Sequence, residues 1–135
     1  MIELNTHGAS FKIVAHSPSD AEGWCKVSVR VQTNGFEGET VAWLMAEGLQ
    51  MFEKDLSYMI DSVGRDAAAR LCSPEPDLDI ELKMNRLGQI QGTFTIESER
   101  IDGIPTALSG SFKMDQTFLP TLRNQTQVLL KSLKG

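Results

Sequence analysis

Cys25, Val27, Val29 and Val31 alternate with Lys26, Ser28, Arg30 and Gln32, a period of two that predicts a half-buried strand. Asn34-Gly35 follows, a dipeptide suited to the positive φ values of a tight hairpin turn. The chain should therefore return as a second strand over roughly Phe36 to Leu44. Its inward face is left open by the pattern, because Val41 and Trp43 compete with Phe36, Ala42 and Leu44.

A second alternating run is cleaner. Leu78, Ile80, Leu82 and Met84 share one face, and Asp79, Glu81, Lys83 and Asn85 the other. After a turn at Leu87-Gly88, Ile90, Phe94 and Ile96 point inward, with Gln91, Thr93, Thr95 and Glu97 outward. A turn at Asp102-Gly103, followed by Pro105, leads to Leu108, Phe112 and Met114 on the same inner face. Three consecutive strands with one polar face predict an antiparallel sheet solvated on one side. Gly92 and Gly110 fall on the inner face, where missing side chains would let a helix lie close or the sheet bend. Phe11, Ile13 and Ala15 predict one more strand, with Ile2 to Leu4 a short one before it.

Two segments switch to helical spacing. Met45, Leu49, Phe52, Leu56, Met59, Ile60 and Val63 recur every three or four residues, and Gly64 is placed to end that helix. From about Phe118 to Leu133, Leu119, Leu122, Leu129, Leu130 and Leu133 form a second stripe. Thr117 is the expected N-cap there, with Pro120 in the first turn, where its missing N–H costs little. Each stripe must be buried, and the inner sheet face is the available surface. The expected architecture is a single α+β domain over residues 1–135. It has two layers, a curved antiparallel meander of about 6–8 strands with two amphipathic helices on one face.

Composition alters this picture little. Hydrophobic residues at 41 % and charged residues at 23 % suit a globular core and argue against disorder. No apolar stretch approaches the roughly 20 residues that cross a bilayer. Residues Met1 to Ser10 show no basic region followed by an apolar run, so a cytoplasmic chain with no membrane association is expected. The net charge of −5, from 18 acidic and 13 basic residues, argues against direct binding of nucleic acid, which needs clustered Lys and Arg. It is compatible with a basic protein partner.

Catalytic signatures are absent: the sequence has no GxSxG, GxxxxGK[ST], HExxH or GxGxxG pattern. Cys25, Cys72, His7 and His16 do not make a metal-ligand set, which needs about four grouped ligands. No metal, no cofactor and no catalytic residue is expected. His16 could act as a general base, but no nucleophile is marked out beside it. Asn124-Gln125-Thr126 matches a glycosylation sequon inside the second predicted helix and reads as chance. Carboxylates also alternate along strands, with Asp77, Asp79 and Glu81 on one, Glu37 and Glu39 on another, and Glu97 and Glu99 flanking the later turn. Catalytic carboxylates need a pocket and raised pKa values, whereas a solvated strand face needs them for solubility. A third reading is an acidic recognition surface for Lys and Arg on a partner. Trp24 shares parity with Lys26 rather than with the valines, which places it at the sheet's edge or outer face, where a tryptophan can anchor an interface. Tucking under the Ser17–Gly23 loop is the alternative.

The order of these elements resembles the WapI-type immunity proteins. The matching features start with Ile2-Glu3-Leu4 and Phe11-Lys12-Ile13-Val14, then Trp24-Cys25-Lys26-Val27 entering the first long strand. Gly35-Phe36-Glu37-Gly38 and a helix beginning near Ala46-Glu47 come next, and Phe112 to Pro120 supplies a closing strand, an Asp-Gln-Thr corner and a last helix. The resemblance implies a bacterial cytoplasmic protein that binds and neutralises a toxin domain, nuclease-like in the best-known cases, without being an enzyme. The family has no fixed contact motif, so the expected contacts are drawn from the residues above: Asp77, Asp79, Glu81, Glu97, Glu99 and Trp24, facing a basic toxin domain. The competing expectation is a small-ligand binder with a cavity between helices and sheet, lined by Met84, Phe94, Phe112 and Met114.

Overall fold

A computed structural model of the chain describes residues 1–75, 77–98 and 103–134. The expected first hairpin is β3 (Trp24–Thr33) and β4 (Phe36–Met45), joined at Asn34 and Gly35 with φ of 39° and 90°. Both values are positive, as a tight hairpin of this twist requires. Before it lie β1 (Ile2–Asn5) and β2 (Ser10–Ala15), and the four strands form one antiparallel sheet in sequence order. After β4 the chain passes into α1 (Ala46–Asp61), whose stripe of Leu49, Phe52, Leu56 and Met59 is buried. Val63 is beyond the helix and exposed.

The second half repeats this plan. Strands β5 (Ala67–Cys72), β6 (Leu78–Met84), β7 (Gln89–Glu97) and β8 (Ala107–Asp115) form a second four-stranded antiparallel sheet. A short 3₁₀ turn at Gln116–Phe118 then leads into α2 (Leu119–Leu133). The cap of this corner is Asp115 rather than Thr117, its carboxylate accepting the Thr117 N–H at 3.1 Å. The carboxylate reaches forward to it because the 3₁₀ turn begins at Gln116, directly after Asp115.

The α+β class and the antiparallel pairing follow the hydrophobic pattern, and the eight strands fall within the expected range of about 6–8. The meander is divided into two sheets, because α1 stands between β4 and β5. The inner faces of the two sheets meet in one continuous core. Phe11 of β2 packs edge-on against Phe94 of β7 and Phe112 of β8, with centroids 5.3 and 5.0 Å apart. The rings expected beneath helices are thus met by the other sheet. Gly92 stands opposite Phe112 and Gly110 opposite Phe94 on neighbouring strands, and each ring lies where a Cβ would be. These glycines admit rings, not a helix.

The helices sit against α-helical and edge-strand neighbours: α1 contacts α2 and β5, and α2 also contacts β1. The Gln125 side chain accepts the Glu3 N–H at 3.0 Å, so a helix residue satisfies part of an open strand edge. Two further contacts join the sheets. His7 and Lys113 exchange backbone hydrogen bonds of 3.0 and 2.9 Å beside β8, and the Thr40 hydroxyl donates to the Glu97 carbonyl at 2.6 Å.

Candidate partner-binding surface

Asp77, Asp79 and Glu97 are brought to one corner of the second sheet. Asp79 faces outward from β6, and Asp77 directly precedes that strand. Glu97 ends β7 and donates its N–H to the Asp77 carbonyl at 3.1 Å. All three are half-buried. Arg70 of β5 reaches across and donates to both Asp79 oxygens at 3.0 and 2.8 Å. That hydrogen-bonded carboxylate, with smaller help from Cys72 and Glu81, raises the guanidinium's pKa above its ordinary value. Glu81 lies one outward position further on, 3.3 Å from Lys83. Glu99 lies outside the described residues.

Trp24 is half-buried at the start of β3, its N–H bonded to the Asp20 carboxylate at 3.0 Å. The register shows what shares its face. Trp24 pairs with Met45, Lys26 with Trp43, and Ser28 with both Val14 and Val41. Val41 and Trp43 point outward, with Thr40, Ala42 and Leu44 buried beneath, which resolves the face the pattern left open. Trp43 is 47 % exposed, Val41 43 % and Val14 37 %. Both tryptophans of the protein therefore occupy one end of the outer face of the first sheet. The other end of that face is charged, with Glu3, Lys12, Arg30 and Glu39 in one row across the strands. The outer face of the second sheet, by contrast, carries Thr93, Thr95, Ser109 and Ser111 between its charges. Trp43 was hidden in the sequence because an aromatic residue on an alternating strand reads equally well as core.

Met84, Phe94, Phe112 and Met114 do not enclose a cavity together. The two rings belong to the inter-sheet core, whereas Met84 and Met114 reach the floor of a half-open groove of about 1250 Å³ at the end of the second sheet. His16 bonds through Nε2 to the Ser28 hydroxyl on the outer face of the first sheet, and no carboxylate joins that pair among the described hydrogen bonds. Among the described residues no group of three His, Cys, Asp or Glu could hold a metal ion. No described helix is long and apolar enough to cross a membrane.

The two-sheet α+β scaffold thus leaves a tryptophan-bearing strand face of its first sheet uncovered. The sequence matches the immunity protein WapI-like family over residues 1–134, and the chain belongs to that family. No curated protein sequence matches it. Among solved structures, the plant transcriptional regulator PBF-2 aligns with a TM-score of 0.52 at 12 % identity, covering 98 % of this chain and 81 % of that one. WHY1 from Arabidopsis thaliana aligns with a TM-score of 0.49 at 10 % identity, over 98 % and 89 % of the two chains. At 12 % identity the first of these indicates a shared fold and nothing about activity.

Proposed function

We propose that this protein is a non-enzymatic immunity protein that binds a cognate toxin domain and occludes its active site in the cytoplasm of its bacterial host. Membership of an immunity family gives the class. The observation that carries the reading is the uncovered apolar end of the first sheet, where Trp43, Val41 and Val14 are solvent-exposed beside Trp24. Burying exposed aromatic area gives large interface energies, and tryptophan is the residue most often found at such anchors. The acidic corner of Asp77, Asp79 and Glu97 then supplies a long-range field that draws a basic, nuclease-like toxin domain into encounter.

The test is binding of the purified chain to the toxin domain encoded beside its gene, with toxin activity followed in parallel. The expected result is a stable complex that inhibits the toxin. Trp43→Ala should weaken it by about 2 kcal/mol or more, chiefly through faster dissociation, as a buried anchor does. Unaltered inhibition by that variant would move the contact off this face, and absence of any complex would remove the immunity reading.

A further inference from the structure

The outer strands of the two sheets are not protected alike. β1 is four residues long, and its Glu3 N–H is taken by Gln125 of α2. β5 lies against α1, and β8 is bridged near its end by His7. β4 is ten residues long, pairs only with β3, and does so in an unbroken register with no bulge. Folded proteins blunt an open edge with a charge, a proline, a bulge or a covering segment. The second half of β4 runs Thr40-Val41-Ala42-Trp43-Leu44-Met45, with no charge, proline or glycine.

The register fixes which backbone groups are open. His16 donates its N–H to the Lys26 carbonyl at 2.9 Å, and Ala46 donates to the Gly23 carbonyl at 2.8 Å. Alternate residues of an antiparallel strand bond to opposite sides. Even-numbered residues of β3 therefore bond towards β2, and odd-numbered ones towards β4, where they meet even-numbered partners. Glu39, Val41 and Trp43 are left with N–H and C=O both turned to the open edge. No described turn, loop or cap bond reaches those groups. Their side chains stand on the outer face, where Val41 and Trp43 are exposed.

We infer that this edge is a homodimer interface, in which β4 of two copies pairs antiparallel about a two-fold axis at Ala42. In that register Val41 faces Trp43 of the partner subunit, and the reverse, a β-branched and aromatic pair on each side of the axis. Glu39 stands opposite Met45 of the partner subunit, so no like charges meet. An axis at Glu39 would instead set that carboxylate against its own copy. A second copy is the fitting occupant because one segment supplies both halves of each pair and closes both open edges together. The joined sheet ends in β1 on both sides, each held by α2, so growth stops at two, as in an isologous interface. Edge pairing leaves the outer face uncovered and sets the two apolar ends side by side. The inference does not rest on the immunity reading.

Sedimentation velocity of the full chain alone is the test. The weight-average mass should rise from one chain towards two between micromolar and millimolar protein, because strand pairing alone makes a small, transient interface. Isotope-filtered NOE spectra of mixed labelled and unlabelled chain should connect the Val41 methyls to the Trp43 ring of the other copy. Val41→Pro removes an N–H that only the open edge uses, and proline is tolerated on such an edge. That variant should stay folded and monomeric. Val41→Glu, at an exposed position, brings two carboxylates diagonally together across the axis. It should weaken association several-fold, less so in high salt, and it carries the test if the proline variant unfolds. A chain that is monomeric throughout the range, or a dimer that either folded variant leaves intact, would overturn the inference. So would growth beyond two chains. Slowed amide exchange at Val41 and Trp43 seen only with the toxin domain present would overturn it as well, giving the edge to a strand of that domain.

Discussion

Phe112 lies across Gly92 and Phe94 across Gly110, while Phe11 closes on both rings from the opposite sheet. The inward parity of these residues was legible in the sequence, since the alternation of β7 and β8 is nearly unbroken. What covered them was not, because alternation reports which face is buried and not against what. Edge-on aromatic contacts add to area burial, and three rings from two sheets leave little room for collapse around a hole. Phe94→Ala and Phe112→Ala should each lower stability by about 3–5 kcal/mol in urea unfolding. Because the rings touch, the double variant should lose less than the sum. A denaturant midpoint equal to wild type for either single variant would contradict the packing described here.

At the scale of elements, the long strands and both helices could be read from periodicity, and β5 could not. Its sequence, Ala67-Ala68-Ala69-Arg70-Leu71-Cys72, alternates in burial, yet three consecutive alanines give no contrast between faces. The strand forms because β6 offers it an edge and α1 packs against it, a tertiary choice over local propensity. The helix α2 begins within a residue of its expected start, but its cap differs: a 3₁₀ turn intervenes, and the cap is Asp115 rather than Thr117. Asp115→Ala should cost about 0.5–2 kcal/mol, since it removes the acceptor for the Thr117 N–H. The thermal midpoint should fall accordingly, and Thr117→Ala should have a smaller effect. Gly48 gives the opposite sign. It sits in the first turn of α1, and a Cβ there would meet only the Cys72 carbonyl at 4.0 Å, an ordinary contact. Gly48→Ala should stabilise by about 0.4–1 kcal/mol by reducing the freedom of the unfolded chain, seen as a raised midpoint with unchanged cooperativity.

For the whole molecule, the division into two four-stranded sheets, each followed by a helix that packs on the other half, escaped the sequence because the two halves share order and not residues. Val27, Val29 and Val31 occupy one inner face, and rings with glycines occupy the other. The outer faces have diverged as well, with tryptophans on the first and threonines and serines with paired charges on the second. On the proposed reading, this difference between the faces separates two contributions to partner binding. An apolar anchor acts on the bound state, so substitution at Trp43 belongs to dissociation. Charges at the second sheet's acidic corner act before contact, so they belong to association. Replacing Asp77, Asp79 and Glu81 together by Asn, Asn and Gln should slow association with a basic toxin domain. It should also flatten the salt dependence of that rate, with little change in dissociation. The Asp79 carboxylate already accepts two bonds from Arg70, which will blunt its share of the effect. Surface-plasmon kinetics at two ionic strengths resolve this. Identical rates for the triple variant and wild type at both salts would make the corner an ordinary solvated one, and the steering would have to come from elsewhere on an acidic chain.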